Sequence, residues 1–140
     1  MRKYIKWLFV LAWMILIFLF SNESGVESTE TSHFFVEKVG TFFVYFIPRI
    51  SFNFITLFVR KAAHFFLYFI LGLLIGNATY NSKKWRVLSL LLCLLYACTD
   101  EFHQLFVSGR SGHILDVFVD FLGSSVGVYI YHWFTRKKVV

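Results

Sequence analysis

Residues 97–120 read ACTDEFHQLFVSGRSGHILDVFVD, and this stretch decides how the rest of the chain is interpreted. It holds four carboxylates, two histidines, a glutamine and an arginine within a Ser-Gly-Arg-Ser-Gly turn, and apolar runs border it on both sides. Charges inside or beside membrane-length helices are costly and are usually retained for function. We therefore interpret the remaining sequence as a scaffold that holds this stretch at a set depth in a membrane.

The composition is that of a membrane protein. The 140 residues are 58% hydrophobic and 21% aromatic, with 19 phenylalanines and one proline, and the mean hydropathy is +0.66. Such values exceed those of ordinary soluble domains and favour helices in an apolar solvent. The net charge of +6 does not indicate nucleic acid, because the basic residues border apolar runs, as in membrane orientation signals. The sequence predicts one all-α polytopic membrane domain over residues 1–140, with no nucleic acid as a partner.

Four apolar runs predict transmembrane helices and a fifth run is shorter. The predicted spans cover residues of about 4–20, 60–80, 87–106 and 114–134. Residues 34–47 are interrupted by charged and small residues, and they predict an interfacial or a re-entrant helix ending near Pro48. The acidic, hydroxyl-rich residues between the first span and this helix predict a solvated extracytoplasmic loop.

Basic residues predict the orientation of the four spans. Nine of the fourteen lysines and arginines lie at the N-terminus, in the loop around Lys84 and at the C-terminus. By the positive-inside rule, these three segments and both termini face the cytoplasm. The first span is interpreted as a retained anchor rather than a signal peptide, because FLFSNESG offers no small-x-small cleavage site.

Three of the predicted spans share one pattern, with ionisable residues near the outer end and small residues deeper. At helical spacing the faces read Lys61, His64, Tyr68, Gly72 and Gly76; Ser89, Cys93, Tyr96, Asp100 and His103; and Asp116, Asp120, Gly123 and Gly127. The two GxxxG pairs allow helices to approach closely, so the acidic residues on the same face must point into the bundle. The sequence therefore predicts one polar crevice in the outer leaflet.

Two groups of candidate site residues belong to this crevice. His64, Asp100 and Asp120 are acid–base candidates, because histidine titrates near neutral pH and can exchange protons beside a carboxylate. The candidate ligand-binding residues are Arg60, Lys61, Tyr68, Glu101, His103, Gln104, Arg110 and Asp116. Arg110 lies between flexible residues, where its guanidinium can bind carboxylate or phosphate in bidentate fashion. The alternative for each residue is a compensating ion pair that holds the helices together.

Other catalytic signals are missing from the sequence. No spacing matches a strong metal motif such as HExxH, and no serine or tyrosine belongs to a recognisable triad. The sequence therefore predicts no metal and no cofactor, and it leaves open whether the protein is an enzyme.

Three segments in order, RKAAHFFLYFILG (60–72), LYACTDEFHQLFVSGR (95–110) and DVFVDFLGSSVG (116–127), resemble the VanZ-like membrane protein family. The resemblance extends over about residues 4–134, and its motifs select Lys61, His64, Tyr68, Asp100, Glu101, Gln104, Arg110, Asp116, Asp120 and Gly123. Two positions depart from the pattern: Ser108 stands where proline is common, and Asp120 stands where asparagine is common. The resemblance implies a protein of the bacterial cell membrane, in a family whose named member is associated with low-level teicoplanin resistance.

Three functions remain open on this basis. In the first, the crevice binds membrane lipid, a lipid-linked cell-wall precursor or a lipoglycopeptide, and it lowers susceptibility to teicoplanin-type antibiotics. In the second, the protein is an intramembrane hydrolase or transferase acting on an envelope phospholipid or a polyprenyl-phosphate conjugate. In the third, it is a small transporter or scaffold, and the GxxxG faces allow a homo-oligomer.

Overall fold

The computed structural model describes residues 2–46, 52–80 and 84–136. They form α1 (Arg2–Ser21), α2 (Gly25–Phe46), α3 (Phe52–Thr79), α4 (Trp85–Gln104) and α5 (Ile114–Arg136). No strand occurs within these three ranges, so the predicted all-α class is confirmed. Three helices are long and apolar enough to cross a membrane, over Lys3–Ser21, Asn53–Thr79 and Ile114–Thr135.

Helix α4 is not among these candidate spans. Its last six residues, TDEFHQ, are mostly polar and lower the hydropathy of a helix that is only 20 residues long. It nevertheless packs against α1, α3 and α5, and its buried residues follow one face, including Ser89, Cys93 and Asp100. The fourth span therefore stays a prediction, whereas the polar face of α4 is where the sequence predicts it.

Two predicted helix boundaries are wrong. Helix α2 begins at Gly25 rather than at residue 34, because Ser24 and Glu27 cap each other. The Ser24 N–H donates to Glu27 Oε2 at 2.8 Å, and the Glu27 N–H donates to Ser24 Oγ at 3.3 Å; this reciprocal capping box satisfies amides that the helix start leaves free. Much of the predicted solvated loop is thus helical. The end of the predicted interfacial helix, near Pro48, lies outside the described residues.

The second correction concerns α3, which begins at Phe52 instead of residue 60. The run FNFITLFV before Arg60 is apolar and has no helix breaker, so the helix extends through it. Arg60 and Lys61 therefore lie more than two turns inside the helix rather than at its outer end.

Contacts between helix ends define the two ends of the bundle. At one end, Lys6 Nζ donates to the Asn77 carbonyl and Tyr131 OH donates to Asn77 Oδ1, both at 3.1 Å. At the other end, Gln104 Nε2 donates to Ser21 Oγ at 3.3 Å. We call these the basic end and the polar end. Helices α1, α3, α4 and α5 alternate in direction between them, so the first and last described residues lie at the basic end.

Helices α3 and α5 share the most extensive interface in the described structure. A Cβ added to Gly72 would lie 2.1 Å from the Ser124 carbonyl oxygen, and one added to Gly123 would lie 2.4 Å from the Phe65 carbonyl oxygen. The backbones of α3 and α5 are so close at these positions that only the hydrogen of a glycine fits between them. The predicted close approach through the GxxxG pairs is therefore confirmed. The two glycine faces meet within one chain, so they are not free to support a homo-oligomer.

The interior is small and the exterior is apolar. The core consists of Val10, Ile17, Tyr68, Leu71, Ile75, Ala78, Cys93, Ala97 and Val128. Many large apolar side chains point outward, among them Leu8, Phe66, Leu95 and Phe118. Helices with apolar outer faces and polar groups turned inward are what a bilayer requires. The polar groups gather at the polar end, beyond the glycine interface.

Candidate functional site at the polar end

Two adjoining cavities lie at the polar end. The first has a volume of about 340 Å³, and its surface is almost entirely apolar, with Phe20, Val59, Phe66 and Ile70 among its walls, although polar residues such as Glu23 and Ser28 also border it. The second has a volume of about 410 Å³ and is lined mainly by polar and charged residues. Three residues, Arg60, His64 and Arg110, line both cavities. An apolar cavity and a cavity of mixed polarity therefore meet at two guanidinium groups and an imidazole.

The second cavity contains several of the predicted ligand-binding residues. Its lining includes Lys61, Gln104, Ser111, His113 and Asp116. The Lys61 ammonium forms an ion pair with Asp116 Oδ1, which links α3 to the start of α5. Ser111 Oγ lies 2.9 Å from His113 Nε2. Polar groups from three helices and from the loop between α4 and α5 thus face one space.

Arg60 connects α3 to the capped start of α2. One terminal guanidinium nitrogen, Nη2, donates to Ser28 Oγ at 2.9 Å, whereas Nε is buried without a partner among the residues described. Ser28 is itself buried. Sequence reasoning missed Ser28, because its segment was interpreted as a loop. The signal that could have found it is the S-x-x-E pattern of Ser24 and Glu27, which predicts a helix start.

The loop between α4 and α5 positions Arg110. Gly109 has a φ of 73°, a left-handed conformation that glycine adopts without strain. The preceding carbonyl, of Ser108, accepts a 3.0 Å hydrogen bond from the Gly25 N–H. Arg110 Nη2 donates to the Phe20 carbonyl at 2.9 Å. The loop is therefore tied to both α1 and α2, and its arginine is held over the bundle.

The two arginines place two positive charges at the junction of the cavities. Burial lowers the pKa of the Arg110 guanidinium, and the nearby positive charge of Arg60 lowers it further. The carboxylates of Glu23, Asp100 and Glu101 act on this pKa in the opposite direction. Arginine stays protonated in proteins. The repulsion between the two like charges is therefore only partly offset by carboxylates of the chain itself. Arg110 Nε, like Arg60 Nε, has no hydrogen-bond partner within the described ranges.

The three predicted acid–base residues lie together, one on each of α3, α4 and α5. Potential ligand atoms of His64, Asp100 and Asp120 all lie within 4.8 Å of one another. The exposed fractions of Asp100 and Asp120 are only 3% and 0%. His64 Nδ1 is 3.3 Å from Asp120 Oδ1, but neither atom has a partner with hydrogen-bond geometry in the described chain. His64 lines both cavities, so this carboxylate cluster adjoins them.

Comparison with known proteins identifies the family. A family model described as VanZ/LLP1 matches residues 6–135. The chain belongs to the VanZ/LLP1 family. The resemblance inferred from the three motifs is thereby confirmed, and the match contains all the residues of both cavities. No curated protein and no solved structure matches the chain.

The remaining predicted site residues of this VanZ/LLP1 protein have different surroundings. Tyr68 is fully buried, and its ring packs 6.0 Å from that of Tyr96, measured between centroids. Glu101 Oε2 accepts a 3.0 Å hydrogen bond from the His113 N–H, so this carboxylate fixes the loop that leads into α5. Both residues lie beside the cavities without lining either one.

His103 is the predicted site residue that faces away from the two cavities. Its Nε2 lies 3.3 Å from Asn22 Oδ1, and its ring centroid is 4.7 Å from that of Phe18. It therefore packs against the end of α1. The next residue, Gln104, lines the second cavity instead. Successive residues of a helix point about 100° apart, so only one of these two neighbours reaches the cavity.

Proposed function

We propose that this VanZ/LLP1 protein binds an anionic amphiphile of the bacterial cell envelope. The charged group lies between Arg60 and Arg110, and the apolar portion enters the first cavity. The observation that carries this proposal is the junction of an apolar cavity and a cavity of mixed polarity at these two arginines. Guanidinium groups bind phosphate and carboxylate through paired, charge-assisted hydrogen bonds. Nε of each arginine is buried and has no partner in the described chain, so an anion that reached it would satisfy a donor that the protein leaves unpaired.

The size of the first cavity limits what part of a ligand it receives. Its volume of about 340 Å³ is near the lower end of the range of about 300–1,000 Å³ for small-molecule pockets. That volume fits an acyl or prenyl segment but not the peptide core of a glycopeptide. A teicoplanin-type antibiotic would therefore be bound through its acyl chain, with the bulky core outside. Retaining such a drug at the outer leaflet lowers the amount that reaches cell-wall precursors.

A binding experiment tests the proposal directly. The full-length protein in phosphatidylcholine nanodiscs is titrated with a fluorescent short-chain phosphatidic acid, with Arg60→Gln and Arg110→Gln as variants. Loss of a hydrogen bond to a charged group costs about 1.5–3 kcal/mol, so we expect roughly 10- to 100-fold weaker binding. The matched control is Arg86→Gln, which removes an exposed arginine at the basic end. Equal affinity in all three variants would contradict the proposal.

Two further measurements connect binding to the cell. Unlabelled teicoplanin should displace the fluorescent phosphatidic acid if both acyl chains use the first cavity. Deletion of the gene should lower, and overexpression should raise, the teicoplanin concentration needed to stop growth. Lipid binding without any change in susceptibility would assign the protein to envelope lipids rather than to the antibiotic.

A second candidate function is supported by the buried carboxylate cluster. Arg60, Lys61 and Arg110 would hold a phosphate ester, and His64 with Asp100 or Asp120 would exchange protons in a hydrolase or transferase reaction. The supporting observation is that His64 lines both cavities and lies 3.3 Å from a buried carboxylate. Turnover of a phospholipid or polyprenyl-phosphate by the wild type but not by His64→Gln would establish it. No turnover across such a panel, with or without divalent metal, would reject it.

A further inference from the structure

We propose that His64, Asp100 and Asp120 form a binding site for one divalent transition-metal cation. The three side chains come from α3, α4 and α5, and one ligand atom from each can be chosen so that all three lie within 4.8 Å of one another. This inference goes beyond the proposed function, because it requires no lipid or drug. It also adds an ion that the residue spacing alone does not predict.

The hydrogen-bonding state of the cluster is the first argument. Both oxygens of Asp100, both oxygens of Asp120 and Nδ1 of His64 are buried, and none has a hydrogen-bond partner within residues 2–46, 52–80 and 84–136. Buried polar groups in proteins are almost always partnered, so each exception requires an explanation. Two of these five atoms, His64 Nδ1 and Asp120 Oδ1, face each other at 3.3 Å. An ion that accepts a lone pair from each of the three residues would explain this contact together with the unpartnered oxygens.

The charge of the cluster is the second argument. Two buried carboxylates carry up to two negative charges, and one histidine can supply only one positive charge. Lys61 is neutralised by Asp116. Arg60 and Arg110 donate to the neutral oxygens of Ser28 and Phe20, and Arg110 acts on Asp100 only through longer-range attraction. A divalent cation with neutral imidazole brings the cluster to zero net charge, which is the favourable state in a low-dielectric interior.

The donor set indicates the class of ion. One imidazole nitrogen with two carboxylates suits zinc or manganese, whereas calcium takes about six to eight oxygen ligands. Zinc ligands bind at about 2.0–2.2 Å in tetrahedral geometry, so two ligand atoms on one zinc ion lie about 3.3–3.6 Å apart. The 3.3 Å distance between His64 Nδ1 and Asp120 Oδ1 fits that spacing, whereas a separation as large as 4.8 Å must close by about 1 Å when the ion binds. Rigid helices on three sides suit such a site.

Tyr68 is placed to support this site. Its side chain is fully buried, and its hydroxyl interacts with the carboxylates of Asp100 and Asp120 and approaches Asp100 as a hydrogen-bond donor, without reaching full hydrogen-bond geometry in the described part of the chain. Metal-bound carboxylates are commonly held by outer hydrogen-bond donors. Tyr68 is therefore assigned as a positioning residue that donates to a ligand carboxylate, not as a metal ligand.

The test is metal uptake by the purified full-length protein. The protein in phosphatidylcholine nanodiscs is stripped with a chelator and dialysed against micromolar Zn²⁺ or Mn²⁺, and bound metal is measured by mass spectrometry. We expect one ion per chain and a higher Tm in the loaded protein. No saturable uptake of either ion, with the same Tm before and after chelation, would overturn the proposal and leave shared protons as the account of the cluster.

Matched variants locate the ion. Asp100→Asn, Asp120→Asn and His64→Gln should each weaken metal binding by more than the roughly 10- to 100-fold that loss of an outer hydrogen-bond partner costs. Tyr68→Phe should fall within that smaller range, and Glu27→Gln, a carboxylate change at an exposed site, should bind metal as the wild type does. Unchanged uptake in Asp100→Asn and Asp120→Asn would place the ion elsewhere and refute the site.

A spectroscopic measurement covers the case in which a variant does not fold. Cobalt bound to the wild type should show visible absorption bands typical of nitrogen and oxygen ligands, and Zn²⁺ should displace it. Bands indicating oxygen ligands alone would exclude His64 and overturn the assignment. Arg60→Gln and Arg110→Gln should retain the metal while losing the lipid, so failure of the metal proposal and failure of the proposed function are distinguishable.

Discussion

The two halves of the α3–α5 region differ in how their buried polar groups are satisfied. Towards the basic end, Thr79 Oγ1 and Ser89 Oγ lie 2.7 Å apart, so one hydroxyl donates to the other, and the accepting hydroxyl donates to a carbonyl of its own helix. At the polar end, nine buried nitrogen and oxygen atoms lack a partner in the described structure, and they belong to Arg60, His64, Tyr68, Asp100, Glu101, Arg110 and Asp120. Among the described residues, the buried hydroxyls of one half have partners within the protein, whereas several buried charged groups of the other half do not.

We interpret this difference as a division between residues that stabilise the fold and residues that bind a ligand. The glycines of the close interface lie between the helices, where backbone contacts leave no room for a Cβ at Gly72 or Gly123. The polar end instead keeps charged groups whose burial is unfavourable for the protein alone, as functional sites commonly do. Substitutions should therefore lower stability in one half and lower binding in the other. The following predictions test that division, beginning with the largest expected effect.

Gly72→Ala should destabilise the protein, whereas Gly76→Ala, one turn away, should not. A Cβ at residue 72 would lie 2.1 Å from the Ser124 carbonyl oxygen, which is backbone, whereas a Cβ at residue 76 would lie 3.3 Å from the Tyr131 ring. Overpacking typically costs about 1–3 kcal/mol, and alanine returns about 1 kcal/mol of helix propensity at either position. Denaturant unfolding in detergent measures both. Equal stability of the two variants would remove the distinction between the halves.

Asp120→Asn should raise the stability of the protein when metal is absent, in contrast to Gly72→Ala. Neutralising a buried, unpartnered carboxylate relieves part of a penalty of roughly 1–3 kcal/mol, so we expect the chelated variant to be more stable than chelated wild type by about 1 kcal/mol. The measurement is the free energy of unfolding in excess chelator. A clear loss of stability under these conditions would show that Asp120 is a structural ion-pair partner of His64, as in the ion-pair alternative.

Ser89→Ala should cost less than Gly72→Ala but should still destabilise. The Thr79–Ser89 pair is buried and joins α3 to α4 at 2.7 Å, and polar pairs between membrane helices contribute about 0.6 kcal/mol on average. A double-mutant cycle with Thr79→Val isolates the coupling from each residue's own effects. A coupling indistinguishable from zero would mean that the satisfied half gains its stability from packing alone.

The sequence predicted the faces of the helices better than their ends. Spacing of three and four placed Gly72, Gly123, Asp116 and Asp120 on inward faces, and the structure brings the two GxxxG pairs together. The start of α2 was missed because three glutamates and several hydroxyl groups resemble a loop, although Ser24 and Glu27 carry the capping pattern. The polar composition of this segment favours a loop, whereas the capping hydrogen bonds stabilise a helix start, and the structure contains the helix.

Distances between helices could not be read from the sequence. His64, Asp100 and Asp120 are separated by 36 and 20 residues, so no local motif shows that they meet. Their meeting depends on how far the glycines let α3 and α5 approach and on the rotation of α4. The same rotation places Gln104 in the second cavity and turns His103 towards Asn22. Helical periodicity predicts which side of a helix faces the bundle. Which residue on that side lines the cavity depends on how the helices pack.

The smallest predicted effect concerns the cap of α2, which places Ser28 beside Arg60 at the polar end. The Ser24 backbone N–H, followed by its hydroxyl, lowers the pKa of Glu27 below the ordinary value of 4.5. Because the folded pKa is the lower one, the charged carboxylate stabilises the helix start above the unfolded pKa, and this contribution is lost as pH falls through the folded pKa.

Glu27→Gln keeps an acceptor for the cap but does not titrate. The Tm of the wild type should exceed that of Glu27→Gln slightly at pH 6, and the difference should vanish below the folded pKa. A difference that stays constant with pH would mean that the cap depends on hydrogen-bond geometry alone, and that the approach of α2 to Arg60 is insensitive to charge at its N-terminus.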